Sequence, residues 1–445
     1  MTILEPELSP LAAVEDAVQL HAKDLQLDVG EPGADQQLRD LIDTEIQRWS
    51  VDYRRGLRPF DLSEPDVVAE RAFRNIAGYG PLAPLLADDD VWEIMVNGPD
   101  AIFVKRHRGE SGYHHESFHD DAHIERTLTK VLNDASGSHR KLDPSEGLQD
   151  AQLDTGARLH IVHRDIANGG HLMVNIRKFT GVAFRRLDQL VDSGSMTPAA
   201  AEFLAACVRA RQTIVFAGAP GSGKTTLLSC CAAELDPSLR VVVAEEVFEA
   251  DIPLPNVASM QTRAPRADRP GVDLRRLVAG FLRMAPDIAI VGEVRDQEAL
   301  PLLLTLSSGV KGYTTIHAGS ARQALSRLRF IAQLAETSNE IPMSALNNLV
   351  SEAVDVVVHC ERTADGPVVS EIVCVEDQAA GPDATAFTVT NVFGRSGQNS
   401  SLAWSGSLPM RVGAALESSG TSLRELLGVD SVGVDSVGGD SVSRS

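Results

Sequence analysis

The sequence predicts an α/β protein, with a domain built on a mostly parallel sheet placed after a smaller α/β domain. Three observations predict it. Over about residues 196–376, short apolar, β-branched runs alternate with longer helical patterns, the mark of parallel strands joined by crossover helices. Inside that region a glycine-rich stretch, GAPGSGKTT at 218–226, joins an apolar run to a helical one. Upstream, over about 61–180, strand-like runs gather around turns and helices as a separate α/β unit.

Taken in order, residues 1–60 form an acidic extension with one helical stripe, Leu38, Leu41, Ile42, Glu45, Ile46 and Trp49. Pro59 and Pro65 interrupt it, and a helix from Asp66 runs into Gly80-Pro81-Leu82. Strands Trp92–Val96 and Ala101–Lys105 flank the turn Asn97-Gly98-Pro99-Asp100. A helix over His123–Leu132 and strands Arg158–Val162 and Leu172–Phe179 follow, then a linker at 181–195. The second domain reads as strand Thr213–Ala217, helix Lys224–Glu234, strand Arg240–Ala244, helix Val272–Arg283 and strand Ile288–Val291. Helix Gln297–Ser307, strand Tyr313–Ile316, helices Ala321–Ala335 and Met343–Ala353, and strands Val354–His359 and Val368–Val375 complete it. The tail 377–445 is expected to be mostly disordered, because its end repeats VDSV-GVDSV-GGDSV, a composition that builds no core.

Composition narrows the function. The chain has 445 residues, with 41 Lys and Arg against 62 Asp and Glu, a formal charge of −21. Duplex nucleic acid is held by neutralising phosphates, so no direct nucleic-acid partner is expected. No apolar run approaches the ~20 residues of a membrane span, and the opening MTILEPELSP lacks the basic and apolar regions of a secretory signal. Cys207, Cys230, Cys231, Cys360 and Cys374 form no C-x-x-C pair, which suits reduced thiols in the cytoplasm rather than a zinc site. His114, His115, His119 and His123 read as a solvated polar loop.

The chemistry centres on Gly218, Ala219, Pro220, Gly221, Ser222, Gly223, Lys224, Thr225 and Thr226, which match G-x-x-x-x-G-K-[ST] in the required strand–loop–helix context. Glycines let successive N–H groups face one point, and the helix N-terminus adds positive potential there. Lys224 can then reach the β- and γ-phosphates of ATP, and the Thr225 hydroxyl can ligate Mg²⁺. Glu293 ends the apolar strand DIAIVGE and lies where a parallel sheet places ligand-facing carboxylates, to act on water or hold the metal shell. Glu245, Glu246 and Glu249 follow another strand in the same way, and His317 ends a third.

Together these pieces resemble the type II/IV secretion ATPases, most closely their tight-adherence (Flp) pilus branch, the TadA/CpaF-like enzymes. Those carry a Walker A, an Asp box, a Walker B and a His box in order; here stand GAPGSGKTT, VVVAEEVFEADI at 241–252, RMAPDIAIVGEVRDQEAL at 283–300 and GYTTIHAGSARQALSRL at 312–328. The resemblance extends upstream through GYGPLAPLLADDDVWEIMVNGPDAIFV at 78–104, LDTGARLHIV at 153–162 and VNIRKF at 174–179. It implies a RecA-like P-loop ATPase using ATP and Mg²⁺. Glu245 and Glu246 would be the Asp-box acids, Glu293 the Walker-B glutamate and His317 the His-box histidine. Arg158 and Arg177 of the first domain and Arg263 and Arg295 of the second match nucleotide-reaching arginines. It also implies a cytoplasmic homohexamer, peripheral to the inner face of the membrane and docked on a pilus or secretion platform protein.

The sequence departs from that pattern at Glu246, where Asp is usual, at Gln152 and Ala285, where arginine is common, and at Gly309-Val310-Lys311-Gly312, which replaces G-H-x-G. The conjugation-type (type IV) secretion ATPase shares every box and stays open as an alternative. So does an ATP-binding regulatory protein with weak hydrolysis. A nucleic-acid motor is the third alternative, disfavoured by the charge.

Overall fold

The structure, a computed structural model, describes residues 9–25, 27, 33–107, 109–135, 141–178, 184–263, 270–335, 341–377, 386–397 and 400–428. It divides into two compact units, Met1–Thr180 and Gly181–Ser445.

The first unit opens with three helices, α1 (Pro10–Asp24), α2 (Ala34–Arg54) and α3 (Pro65–Ala77). Ser9 caps α1 by accepting the Ala12 N–H, and Pro10 fits the first turn, where no N–H is needed. Leu11, Val14 and Val18 then bury against Leu38, Ile42, Ile46, Trp49 and Ala72. The expected stripe on α2 is therefore real, but its partners lie on both sides of residue 60. The boundary drawn there cuts a single helical cluster.

After α4 (Leu82–Ala87) come β1 (Val91–Gly98), β2 (Ala101–Arg106), β3 (Gly112–Tyr113), α5 (Asp121–Asp134), β4 (Leu148–Gln152), β5 (Arg158–Val162) and β6 (Met173–Arg177). The strands form one antiparallel sheet in the order β3-β2-β1-β6-β5-β4. Ile124, Leu128, Val131 and Leu132 of α5 pack on its alternate inward residues, among them Ile94, Val96, Leu159, Ile161, Val174 and Ile176.

Of the four histidines, His115 and His119 are exposed in the loop before α5, as expected, whereas His114 and His123 are not solvated. His114 and His123 are buried, and His119 Nε2 stands 2.8 Å from Glu15 Oε2 of α1. No cluster able to hold a metal ion occurs among the described residues. Burial, then the charges of His119 and Arg126, push the His123 imidazole down to about 4. The unfolded chain, at the ordinary 6.5, takes up that proton first, so His123 costs stability as pH falls from 6.5 towards 4. His119 acts in the opposite sense, since its hydrogen bond to Glu15 raises it against the effect of burial. Substitution of His123→Gln removes only the first effect. Between pH 7 and pH 4 the variant should gain up to about 3 kcal/mol on wild type, read from denaturant midpoints.

The second unit runs α6 (Leu187–Asp192), α7 (Pro198–Arg209), β7 (Ile214–Gly218), α8 (Lys224–Ala232), β8 (Val241–Glu245), β9 (Val257–Gln261), α9 (Leu274–Val278), β10 (Ile288–Val294), α10 (Ala299–Ser307), β11 (Lys311–Ile316), α11 (Ala321–Leu334) and α12 (Met343–Ala353). It ends with β12 (Val356–Thr363), β13 (Gly366–Val375), β14 (Val389–Gly394), β15 (Ala403–Trp404), α13 (Met410–Ser418) and α14 (Leu423–Leu426). One sheet has the order β15-β14-β13-β12-β7-β11-β10-β8-β9. It is parallel from β12 to β9 and antiparallel from β12 to β15. Strand β11 between the glycine-loop strand β7 and the Glu293 strand β10 is the RecA-like order. Apolar clusters cover both faces, one around Phe203, Phe216 and Leu228, the other around Phe281, Leu303 and Leu328.

Two expected boundaries are corrected. The segment 181–195 is not simply a linker, because Leu187 and Leu190 of α6 are buried in the second core. Residues 386–397 and 400–428 are not a disordered tail: β14 pairs with β13, and Phe393, Val412 and Leu416 join the same core. Arg411 of α13 secures them by donating to the Ser351 and Val354 carbonyls and to buried Asp355, which also takes Lys311 Nζ at 2.8 Å. The repeat at 429–442 lies outside the described residues.

Candidate active site

Strand β7 ends at Gly218, and the chain turns through Gly221 (φ 72°) and Gly223 (φ 86°) into α8. These left-handed values suit glycine because a Cβ there is strained. At Gly218 a Cβ would stand 2.2 Å from the Cys360 carbonyl oxygen, so no larger residue fits. The result is a tight cradle at a helix N-terminus, with the buried Ser222 hydroxyl left without a hydrogen-bond partner at its floor. Glycine turns, a helix start, Lys224, Thr225 and a spare hydroxyl form a donor set suited to a polyphosphate with its cation.

Lys224 is buried, and its ammonium donates to the Gly218 and Ala219 carbonyls at 3.1 and 2.9 Å. His317, at the end of β11, brings Nδ1 within 3.4 Å of Lys224 Nζ and 3.2 Å of the Gly218 oxygen. Its Nε2 lies 2.7 Å from Glu293 Oε1. Arg295 donates to the other Glu293 oxygen and, at 3.2 Å, to Glu246. Burial works against ionising Glu293, but the close His317 contact and the Arg295 hydrogen bond outweigh it and hold the carboxyl at about 2. The hydrogen bond to Glu293 in turn raises Arg295, against burial.

The two Asp-box acids separate into different tasks. Glu245 is buried and accepts the Glu249 and Ala250 N–H groups at 3.1 and 3.0 Å, which shapes the loop after β8. Gly292 leaves room for it, since a Cβ there would meet Glu245 Cγ at 2.8 Å. Glu246 is exposed and turns to Arg295. Glu246 thus joins the charged cluster through Arg295. Arg263 is not brought to that cluster; its guanidinium donates to the Pro270 carbonyl at 3.1 Å. In the first unit, Arg158 and Arg177 are direct partners on β5 and β6. Their rung continues to Gln152 on one side and Glu93 on the other. Like charges opposite one another cost energy unless an anion or acid relieves them.

Two residues at this site escaped the sequence reading. His359 of β12 places Nδ1 2.6 Å from Ser370 Oγ and Nε2 3.2 Å from the Ala318 carbonyl, tethering the backbone just after His317. Arg362, at the end of the same strand, donates to the Gly221 carbonyl at 3.1 Å. Both contacts depend on β12 lying beside β7, which no local motif records.

Among the described residues no helix is long and apolar enough to cross a membrane. The profile of the family described as "Type II/IV secretion system protein" matches residues 75–391. A putative conjugal transfer protein of Mycobacterium tuberculosis is 31% identical over 300 residues, 65% of this chain and 82% of that protein. The type IV secretion system protein PtlH of Bordetella pertussis is 32% identical over 310 residues, 64% of this chain and 89% of its own length. The crystal structure of the VirB11 ATPase from the Brucella suis type IV secretion system is 27% identical, covering 66% of this chain and 94% of that one, with a TM-score of 0.35. With the family matched across the greater part of both units, and the phosphate loop, Walker-B glutamate and His-box histidine joined in one cluster, the chain belongs to the type II/IV secretion system protein family and is an ATPase.

Proposed function

We propose that the chain is the Mg²⁺-dependent, homohexameric motor of a membrane-embedded type IV secretion machine, working from the cytoplasmic side. The reading rests chiefly on the contact chain Lys224–His317–Glu293–Arg295–Glu246, which ties residues of all four boxes together. The relatives named for conjugal transfer and type IV secretion support the type of machine. The stretch at 78–104 supports a second reading, the tight-adherence pilus, and the membrane partner separates the two.

In this proposal the loop N–H groups and Lys224 bind the phosphates, while Thr225 and Glu293 hold the metal shell. The bound Mg²⁺ would neutralise charge on the phosphate oxygens. Glu293, already ionised, orients or deprotonates water, and His317 and Arg295 hold its two oxygens in place. Arg158 and Arg177 are the first unit's proposed phosphate-facing charges, and Arg263 would have to leave its Pro270 contact to join them. Replacing the chromosomal copy with Lys224→Ala tests the reading. Cells should make the protein yet lose export, or surface pili under the second reading, whereas undiminished export and piliation would reject a motor role.

A further inference from the structure

The β12–β13 hairpin lies along the phosphate loop. Its Cys360 carbonyl sits against Gly218 so closely that a Cβ would approach it to 2.2 Å. Two residues on, Arg362 pairs with Pro367 across the hairpin, and this one rung meets the loop at two points. Arg362 Nη1 donates to the Gly221 carbonyl at 3.1 Å. Pro367 Cβ lies 3.0 Å from where a Cβ on Gly223 would stand. The two contacts bracket Ser222. The rung is itself braced, since the Ser195 hydroxyl donates to the Pro367 carbonyl at 2.9 Å and Arg395 donates to the Ser195 carbonyl at 3.3 Å.

A trans peptide is rigid, and its C=O and N–H point in opposite directions. A guanidinium that holds the Gly221 oxygen therefore also sets the direction of the Ser222 N–H, away from the hairpin and into the loop. That N–H now closes on the Ala219 carbonyl at 3.3 Å, a long contact that a phosphate oxygen could replace. Gly221, whose ψ turns this peptide, has no side chain to restrict it, so the orientation needs an outside restraint.

We propose that Arg362 is a positioning residue for nucleotide binding, fixing the Gly221–Ser222 peptide so that its N–H faces the phosphates. It acts through the loop and stays outside the proton-transfer cluster. Its loss should therefore weaken binding of both ATP and ADP and raise KM, with a smaller effect on kcat. Lysine keeps the charge but lacks the planar fork, so it should restore part of the effect.

The test measures Mg²⁺–ADP affinity by calorimetry, together with KM, kcat and the melting temperature of the nucleotide-free protein, for Arg362→Ala and Arg362→Lys. A charge-assisted bond to a backbone carbonyl at an exposed site predicts roughly tenfold weaker ADP binding for Arg362→Ala. The melting temperature should be unchanged and Arg362→Lys should fall between. Affinity within twofold of wild type in Arg362→Ala would overturn the proposal. So would weaker binding accompanied by a lowered melting temperature, or a fall in kcat at unchanged KM.

Discussion

Substituting Lys224→Ala should lower ATP turnover by about a thousandfold or more, one of the two largest effects expected from a single change in the chain. The ammonium is buried and held by the Gly218 and Ala219 carbonyls, so its position is fixed before phosphate arrives. A pre-placed charge stabilises the developing charge on the phosphoryl oxygens without reorganising at the moment of reaction. Truncation leaves those carbonyls with fewer donors, although His317 Nδ1 still lies 3.2 Å from the Gly218 oxygen. Phosphate release checks the rate, and circular dichroism checks that the fold remains. A folded variant with wild-type turnover would remove the loop from the mechanism.

The second large effect belongs to Glu293→Gln. Glutamine keeps the side chain's shape but loses the charge needed to polarise water, so kcat should fall by about 10²–10⁴. Nucleotide affinity should hold or tighten, because a negative charge near the phosphates is gone while Lys224 and Arg295 remain. Single-turnover experiments should find ATP retained and uncleaved. Because Glu293 is held at about 2, it stays ionised down to strongly acid pH. Its contribution to stability is present above its ordinary 4.5 and is lost as pH falls through about 2. Any acid limb of kcat/KM near neutrality therefore belongs to another group.

The parts of this site that were legible in the sequence are those that backbone geometry or chemistry restricts to a few residue types. Only glycine fits at Gly218, and the lysine after the last loop glycine completes a motif defined residue by residue, so the stretch is visible in the sequence alone. Gly312 is similar: a Cβ there would stand 2.1 Å from the Ala289 carbonyl on β10, which makes it the part of the altered Gly309–Gly312 stretch the fold requires. Strands β5, β7 and β11 and helix α12 were legible because uninterrupted apolar or periodic runs mark them.

What was missed depends on contacts distant in sequence. Arg362 meets Gly221 across 141 residues, and His359 meets Ala318 across 41. Glu245 and Glu246 are adjacent and chemically alike, and only the strand's end decides that one is buried and the other faces Arg295. The segment after 377 looked coreless because the low-complexity repeat at its end was extended to all of it, although residues 386–428 are about as apolar as the rest of the chain. Its place comes from pairing with β13 and from the Arg411–Asp355 contact, neither of which has a local period. Helix α1 did carry a readable stripe, Leu11, Val14 and Val18 behind a Ser-Pro cap, and it was passed over in an acidic stretch.

The most direct test of the motor reading is crosslinking in cells that carry Glu293→Gln, with identification of the membrane proteins captured. The account predicts a polytopic protein of a type IV secretion channel; a pilus-platform protein would favour the second reading. Capture of no secretion or pilus membrane component, from cells in which the variant is folded and holds ATP, would contradict the account.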